Sequence, residues 1–168
     1  MPEFDAIVIG GGLAGLTAAL RWRRDRPDAS VRVVEAAAAP GGRVRTQRSN
    51  GFVCELGPFA FAREEVAATL DLLRRPPQVV PCRDAARTGA VFDGGGLREV
   101  TVDPLPCSFA SGSEELVQAC RRELDGALQL GRTATRVEPV DGGFAVTLGG
   151  EVPATRTAAE VVLAVPPA

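Results

Sequence analysis

A chain of 168 residues is long enough to bury one core and short for two. Its 45% hydrophobic and 24% charged content is that of an ordinary globular protein, and a net charge of −2 provides no general attraction to nucleic acid. Histidine and tyrosine are both absent, which excludes histidine-ligated metals, Ser-His and Cys-His nucleophiles, and imidazole or phenol acid–base chemistry.

Chemistry, if this chain performs any, must therefore come mainly from a cofactor. The four cysteines, Cys54, Cys82, Cys107 and Cys120, form no C-x-x-C pair, so neither a zinc site nor a redox dithiol is expected and free thiols are. The N-terminus enters a strand almost at once rather than an export signal, and no apolar run reaches membrane-spanning length. A cytoplasmic address is expected, with contact at a membrane surface left open.

Ile7-Val8-Ile9 is a β-branched run without polar alternation, suited to a strand buried on both faces of a parallel sheet. It stops at glycine. Gly10, Gly12 and Gly15 fit G-x-G-x-x-G where strand gives way to helix. Gly10 permits the turn, Gly12 lets a pyrophosphate approach the backbone, and Gly15 lets the helix lie close to the strand. The anion then rests on the helix N-terminus. Leu13, Leu16 and Leu20 mark the apolar helix face, basic residues crowd its end, and Pro27 stops it. Val31-Arg32-Val33-Val34 resumes a strand that leads into Glu35, twenty positions after Gly15, where a dinucleotide fold places the acid for a ribose hydroxyl. Strand, glycines, helix, strand and acid in register point to an ADP-containing cofactor. The first βαβ unit alone also leaves a nicotinamide dinucleotide open.

After the connector Ala36 to Ala39 comes Pro40-Gly41-Gly42-Arg43, and then Gln47 to Glu55 reads as a hairpin turning at Asn50-Gly51. Leu56-Gly57-Pro58-Phe59 follows as a Gly-Pro turn. A helix is expected over Glu64 to Arg75, with Val66, Leu70 and Leu73 on one face and Pro76-Pro77 closing it. Val79-Val80, Arg87 to Phe92 and Leu97 to Val100 read as short strands, the last two joined by Asp93-Gly94-Gly95-Gly96. Thr101 to Phe109 is a Pro-containing connector. It leads to a helix with apolar face Leu116, Val117, Cys120 and Leu124, for which Ser111 and Glu114 form a capping box. Leu128 to Leu130, Thr133 to Val140 and Phe144 to Leu148 are further strands, with a tight turn at Asp141-Gly142-Gly143, and Val161 to Val165 is the last.

An acid-ended second strand followed shortly by Gly-Gly-Arg resembles the FAD-binding signature of the flavin amine oxidase and protoporphyrinogen oxidase superfamily. The Leu56-Gly57-Pro58-Phe59 stretch and the Arg87 to Leu97 hairpin are similar to the protoporphyrinogen oxidase branch in particular. The resemblance implies a Rossmann-like FAD-binding α/β fold, a central parallel sheet flanked by helices with added β-hairpins. It further implies one domain over 1–168, built from 1–100 and 110–168, with the connector 101–109 standing where relatives carry a substrate domain.

On this resemblance the candidate FAD contacts are Gly10, Gly11, Gly12, Leu13, Ala14, Gly15, Glu35, Ala36, Gly41, Gly42, Arg43, Gly57, Pro58, Phe59 and Val137. Arg43 would contribute a charged hydrogen-bonding fork near the pyrophosphate and ribityl chain, the Gly57 loop would pass the isoalloxazine ring, and the Val137 backbone would meet the adenine. No catalytic side chain and no metal ligand is nominated. The implied activity is hydrogen removal from a small tetrapyrrole or amine-like substrate to flavin, in a complete or partial form of such an enzyme. The alternative is a non-catalytic dinucleotide-binding module, completed by a partner chain or a homo-oligomer, because the apolar last strand would otherwise be an exposed edge.

Overall fold

The computed structural model describes residues 1–82, 88–101 and 106–166. The chain opens with β1 (Phe4–Ile9), α1 (Leu13–Asp25) and β2 (Val31–Val34), the unit expected from the glycine turn. Then come the hairpin β3 (Thr46–Ser49) and β4 (Phe52–Glu55), α2 (Arg63–Leu70), β5 (Val79–Pro81), the hairpin β6 (Thr88–Phe92) and β7 (Leu97–Thr101), and β8 (Cys107–Phe109). The last third comprises α3 (Glu114–Glu123), β9 (Leu128–Gln129), β10 (Ala134–Val140), β11 (Gly143–Leu148) and β12 (Ala154–Leu163).

Six strands form one mixed sheet in the order β10-β11-β12-β1-β2-β9. β12, β1, β2 and β9 run parallel, which is the Rossmann-like part, while β10, β11 and β12 form an antiparallel meander at one side. The β-branched residues of β1 alternate between two apolar layers, as a strand buried on both faces requires. Ala6 and Val8 join Leu16, Ala19 and Leu20 of α1 and Leu116, Val117 and Cys120 of α3. Ile7 and Ile9 point the other way and join Val34, Val146, Leu148 and Ala158. The meander thus covers the face that the helices leave open.

Four local expectations change. The second helix ends at Leu70, because Leu72 and Leu73 donate to Thr69 and Leu70 three residues back, tightening the chain into turns ahead of Pro76-Pro77. Leu73 is nonetheless buried, reached by a turn instead of a helix face. The stretch expected as a connector contains β8, which pairs antiparallel with β5 and stacks Phe109 on Phe61 at 4.8 Å between ring centroids. The final strand begins at Ala154, well before Val161, since β11 pairs with Ala154 to Ala158 and draws this polar stretch into the sheet.

Ser111 does not cap α3, whose N-cap residue is Ser113 with no side-chain cap of its own. The cap comes from the β3–β4 hairpin. Glu55 accepts the Ser113 N–H at 2.7 Å, Thr46 Oγ1 accepts the Glu114 N–H at 3.0 Å, and the Thr46 hydroxyl donates to Glu55 at 2.9 Å. Glu114 turns instead to Arg48 and Gln118. Arg87 lies outside the described residues, as do 102–105 of the expected connector. No helix among the described residues is long and apolar enough to cross a membrane.

Cys120 sits in the helix-side core, and burial pushes its thiol up to about 12. Cys54 is exposed. At pH 8 an alkylating reagent is expected to modify Cys54 readily and to leave Cys120 untouched until denaturant is added, as peptide mass mapping would show. Leu116, also buried in that layer, is expected to cost about 2–5 kcal/mol when cut to alanine, read from urea unfolding midpoints.

Candidate nucleotide-binding site

The glycine turn at the end of β1 is shaped by contacts that only glycine admits. Gly10 has φ 110°, and a Cβ there would strike the Ala164 carbonyl. A Cβ on Gly15 would strike the Gly10 carbonyl, so this glycine allows α1 to lie against the strand, as the sequence implies. Gly12 is different. A Cβ placed on it meets nothing within 4 Å, and its φ of −70° is open to any residue. Glycine at 12 thus leaves room next to the backbone that neither packing nor backbone geometry demands.

Gly12 is also the N-cap of α1, which has no side-chain cap and no acidic residue in its first turn. The first turn of α1 therefore meets this space with free N–H groups and no acidic side chain of its own. Ala14 in the first turn is exposed and Leu13 half-buried, so the small rim does not close the space.

Glu35 holds the turn in place. Its carboxylate accepts the Gly11 N–H at 2.6 Å through one oxygen and the Ala37 N–H at 2.7 Å through the other. A Cβ on Gly11 would come 2.8 Å from Glu35 Cβ, so the acid lies over the second glycine. Each carboxylate oxygen spends one acceptor site on a backbone N–H and keeps another. The strand-ending acid is thereby fixed beside the glycines, with Ala36 exposed next to it.

Two further segments converge there. Gly41 donates to the Gly11 carbonyl at 2.8 Å and bridges Gly12, and a Cβ on Gly42 would stand 3.3 Å from the Gly12 Cα. Gly41 and Gly42 both take positive φ, 117° and 58°. Arg43 is exposed immediately after them. Arg45, which the sequence does not single out, donates from Nε to the Gly42 carbonyl at 3.2 Å. Gly131 and Arg132 donate to the Ala37 and Glu35 carbonyls at 2.9 Å each, which seats the approach to β10 on the acid's loop.

The remaining predicted contacts are less closely assembled. Gly57 is glycine because a Cβ would strike the Arg43 carbonyl, so the close approach at this residue is to the chain's own backbone. Pro58 accepts the Ser113 hydroxyl at 2.9 Å, and Phe59 is 66% exposed. Val137 lies on β10 opposite Val146, five residues beyond the Arg132 contact, and is partly exposed. A separate cleft of about 420 Å³, lined by Arg48, Pro76, Glu114 and Arg122 among others, lies away from the glycine turn. Its Arg48 and Glu114 already bond each other at 3.2 Å.

Glu35→Ala would leave two backbone N–H groups of the turn without acceptors, and is expected to lower stability by about 1–3 kcal/mol in urea unfolding.

Residues 8–75 match a family described as an NAD(P)-binding Rossmann-like domain. Over 62 residues the chain is 32% identical to coproporphyrinogen III oxidase of Staphylococcus aureus, which covers 37% of this chain and 13% of that protein. Over 51 residues it is 49% identical to peroxisomal N(1)-acetyl-spermine/spermidine oxidase of Bos taurus, covering 30% of this chain and 10% of the relative. The fold is similar to that of a putrescine oxidase bound to putrescine, with TM-score 0.71 and 16% identity over 97% of this chain and 58% of the other. The chain thus spans a small fraction of these curated relatives' length, and its resemblance to porphyrinogen and amine oxidases is borne out over the matched stretches.

Proposed function

We propose that this chain binds FAD, with the ADP portion on the Gly10 to Gly15 turn, and that it is the flavin-binding body of an oxidoreductase for small porphyrinogen or amine-like substrates in the cytoplasm. The observation that carries the reading is the space at Gly12: room beside an uncapped helix N-terminus, with a fixed carboxylate on its flank. A diphosphate fits that combination because it is anionic and must approach backbone closely. An apolar or cationic ligand does not.

Each residue then has a task. The N-terminal N–H groups of α1, Leu13 and Ala14 among them, would receive the pyrophosphate, and Gly12 would supply its clearance. Glu35 would use its remaining acceptor sites on the ribose hydroxyls of the adenosine. Gly41 and Gly42 would bring a second length of backbone to the phosphates, with Arg43 adding charge from solvent. Ala36 would border the adenosine, and the Val137 strand would approach the adenine. Gly57, Pro58 and Phe59 would stand toward the ring end, where the exposed Phe59 offers an apolar surface. Bound flavin would supply the electron acceptor for hydrogen removal, and no side chain of this chain is assigned to proton transfer.

A second reading is supported by the apolar residues left in solvent. Phe52 is 72% exposed, Phe92 69% and Leu97 78%, on hairpins that a lone domain of this kind would ordinarily cover. They favour a binding module completed by contact with a partner chain or a second copy. Both readings require the same nucleotide cradle.

The purified protein is expected to carry the visible absorbance of bound flavin. Gly12→Val is expected to fold normally, because its Cβ opens onto free space, and to lose the flavin. Colourless wild-type protein that binds NAD would replace FAD with a nicotinamide cofactor. A Gly12→Val protein with unchanged circular dichroism and full flavin occupancy would overturn the cradle itself.

A further inference from the structure

Two arginines stand at the glycine cradle, and the fold holds them differently. Arg43 follows Gly42 directly, and its exposed side chain makes no hydrogen bond or ion pair among the described residues. Its carbonyl, not its guanidinium, lies against the Gly57 loop, where it leaves no room for a Cβ on Gly57. Arg45 is held at both ends. Its carbonyl accepts the Leu56 N–H at 2.9 Å, which ties its backbone to the same loop. Its side chain turns back along the chain, and Nε donates to the Gly42 carbonyl at 3.2 Å.

Gly42 borders the open space at the start of α1. A Cβ on it would stand 3.3 Å from the Gly12 Cα, while a Cβ on Gly12 meets nothing within 4 Å. A guanidinium fastened to the Gly42 carbonyl is therefore fixed beside the segment that lines this space. A guanidinium carries N–H donors on all three nitrogens, and the bond to Gly42 uses only the one on Nε. The Nη groups of Arg45 have no acceptor among the described residues. Arg21, Arg26, Arg48, Arg74, Arg136 and Arg156 each meet a carboxylate, whereas Arg45 meets none among the described residues, so its charge is left uncompensated.

We propose that Arg45 is a nucleotide-binding residue, and that its Nη groups donate to the diphosphate held on the first turn of α1. This rests on the reading of the Gly10 to Gly15 turn as a nucleotide cradle. Arg45 suits the task better than Arg43 because a side chain already tied by one bond gives up less freedom on binding than one free in solvent. A guanidinium with an unspent edge also matches two phosphate oxygens at once, which an ammonium cannot do. The two arginines thus divide the work: the Arg43 carbonyl packs the Gly57 loop, and the Arg45 guanidinium meets the anion.

Titrating ADP and adenosine onto the full chain, stripped of any bound nucleotide, tests this. Arg45→Gln is expected to weaken ADP binding roughly tenfold. It should leave adenosine affinity unchanged and flatten the decline of ADP affinity with rising salt. Arg43→Gln is expected to lose less, and Arg45→Lys, which keeps the charge without the fork, to keep the wild-type salt dependence at reduced affinity. Circular dichroism should be unchanged in all three, since both side chains are exposed. Wild-type protein that binds neither ADP nor FAD overturns the cradle and this assignment with it. Wild-type protein that binds ADP, beside an Arg45→Gln variant of equal affinity and salt dependence, overturns the assignment alone. So does an equal loss for adenosine, which would mean that Arg45 only shapes the turn, or a larger loss in Arg43→Gln.

Discussion

The clasp between Glu35 and the Gly11 N–H is the contact on which the candidate site turns. It crosses from the end of β2 to the end of β1, and its second oxygen holds Ala37 on the way to the next segment. A glycine triplet has more backbone freedom than residues with side chains, and holding it in one conformation costs entropy. Two charge-assisted hydrogen bonds offset part of that cost, so the backbone of the turn is fixed in advance. The Gly41 N–H on the Gly11 carbonyl acts from the other side. The middle residue of the triplet is therefore held by both of its peptide groups, while Gly12, next to it, remains clear.

The packing serves the same end. Gly15 brings α1 against β1, Gly10 brings the end of β12 against the turn, and both contacts are closer than any side chain would allow. The helix N-terminus is placed by backbone-to-backbone approach, with Leu16 and Leu20 anchoring the helix body in the core. Val117 of α3 lies within reach of the position a Cβ would take on Gly41, so the second glycine pair is positioned by the same core that holds the first. Two elements far apart in sequence converge on the cradle because one apolar layer supports both.

The parts of this arrangement that could be read from the sequence are those whose causes are local. A β-branched run, glycines at fixed spacing, a helical leucine face and an acid at a strand end each carry their signal within a few residues, and β1, α1, β2 and Glu35 stand where that signal places them. The α3 cap was not legible. Ser111 and Glu114 have the spacing of a capping box, but Glu55 reaches the same N-terminus from 58 residues upstream and takes the Ser113 N–H. A short-range pattern lost to a tertiary one. The first half of β12 was missed for a related reason, since Ala-Thr-Arg-Thr is a strand only because β11 is present to pair with it. Gly57 was legible as a residue that needs close approach, but what approaches it is the Arg43 backbone.

The Thr46–Glu55 pair shows how the cradle is braced against the rest of the molecule. These residues stand opposite each other at the open end of the β3–β4 hairpin, and their shared hydrogen bonds cap α3. Ser113 in turn donates to the Pro58 carbonyl, and Leu56 donates to the Arg45 carbonyl. Hairpin, helix N-terminus and the Gly57 loop therefore form one polar junction directly after Gly41, Gly42 and Arg43. Polar groups in such a junction are satisfied only when all the segments are present, which makes its loss cooperative. That behaviour suits the proposed site, in which a dinucleotide would lie across several segments at once. The apolar tip of the β3–β4 hairpin, Phe52, projects beyond the junction and takes no part in this polar network.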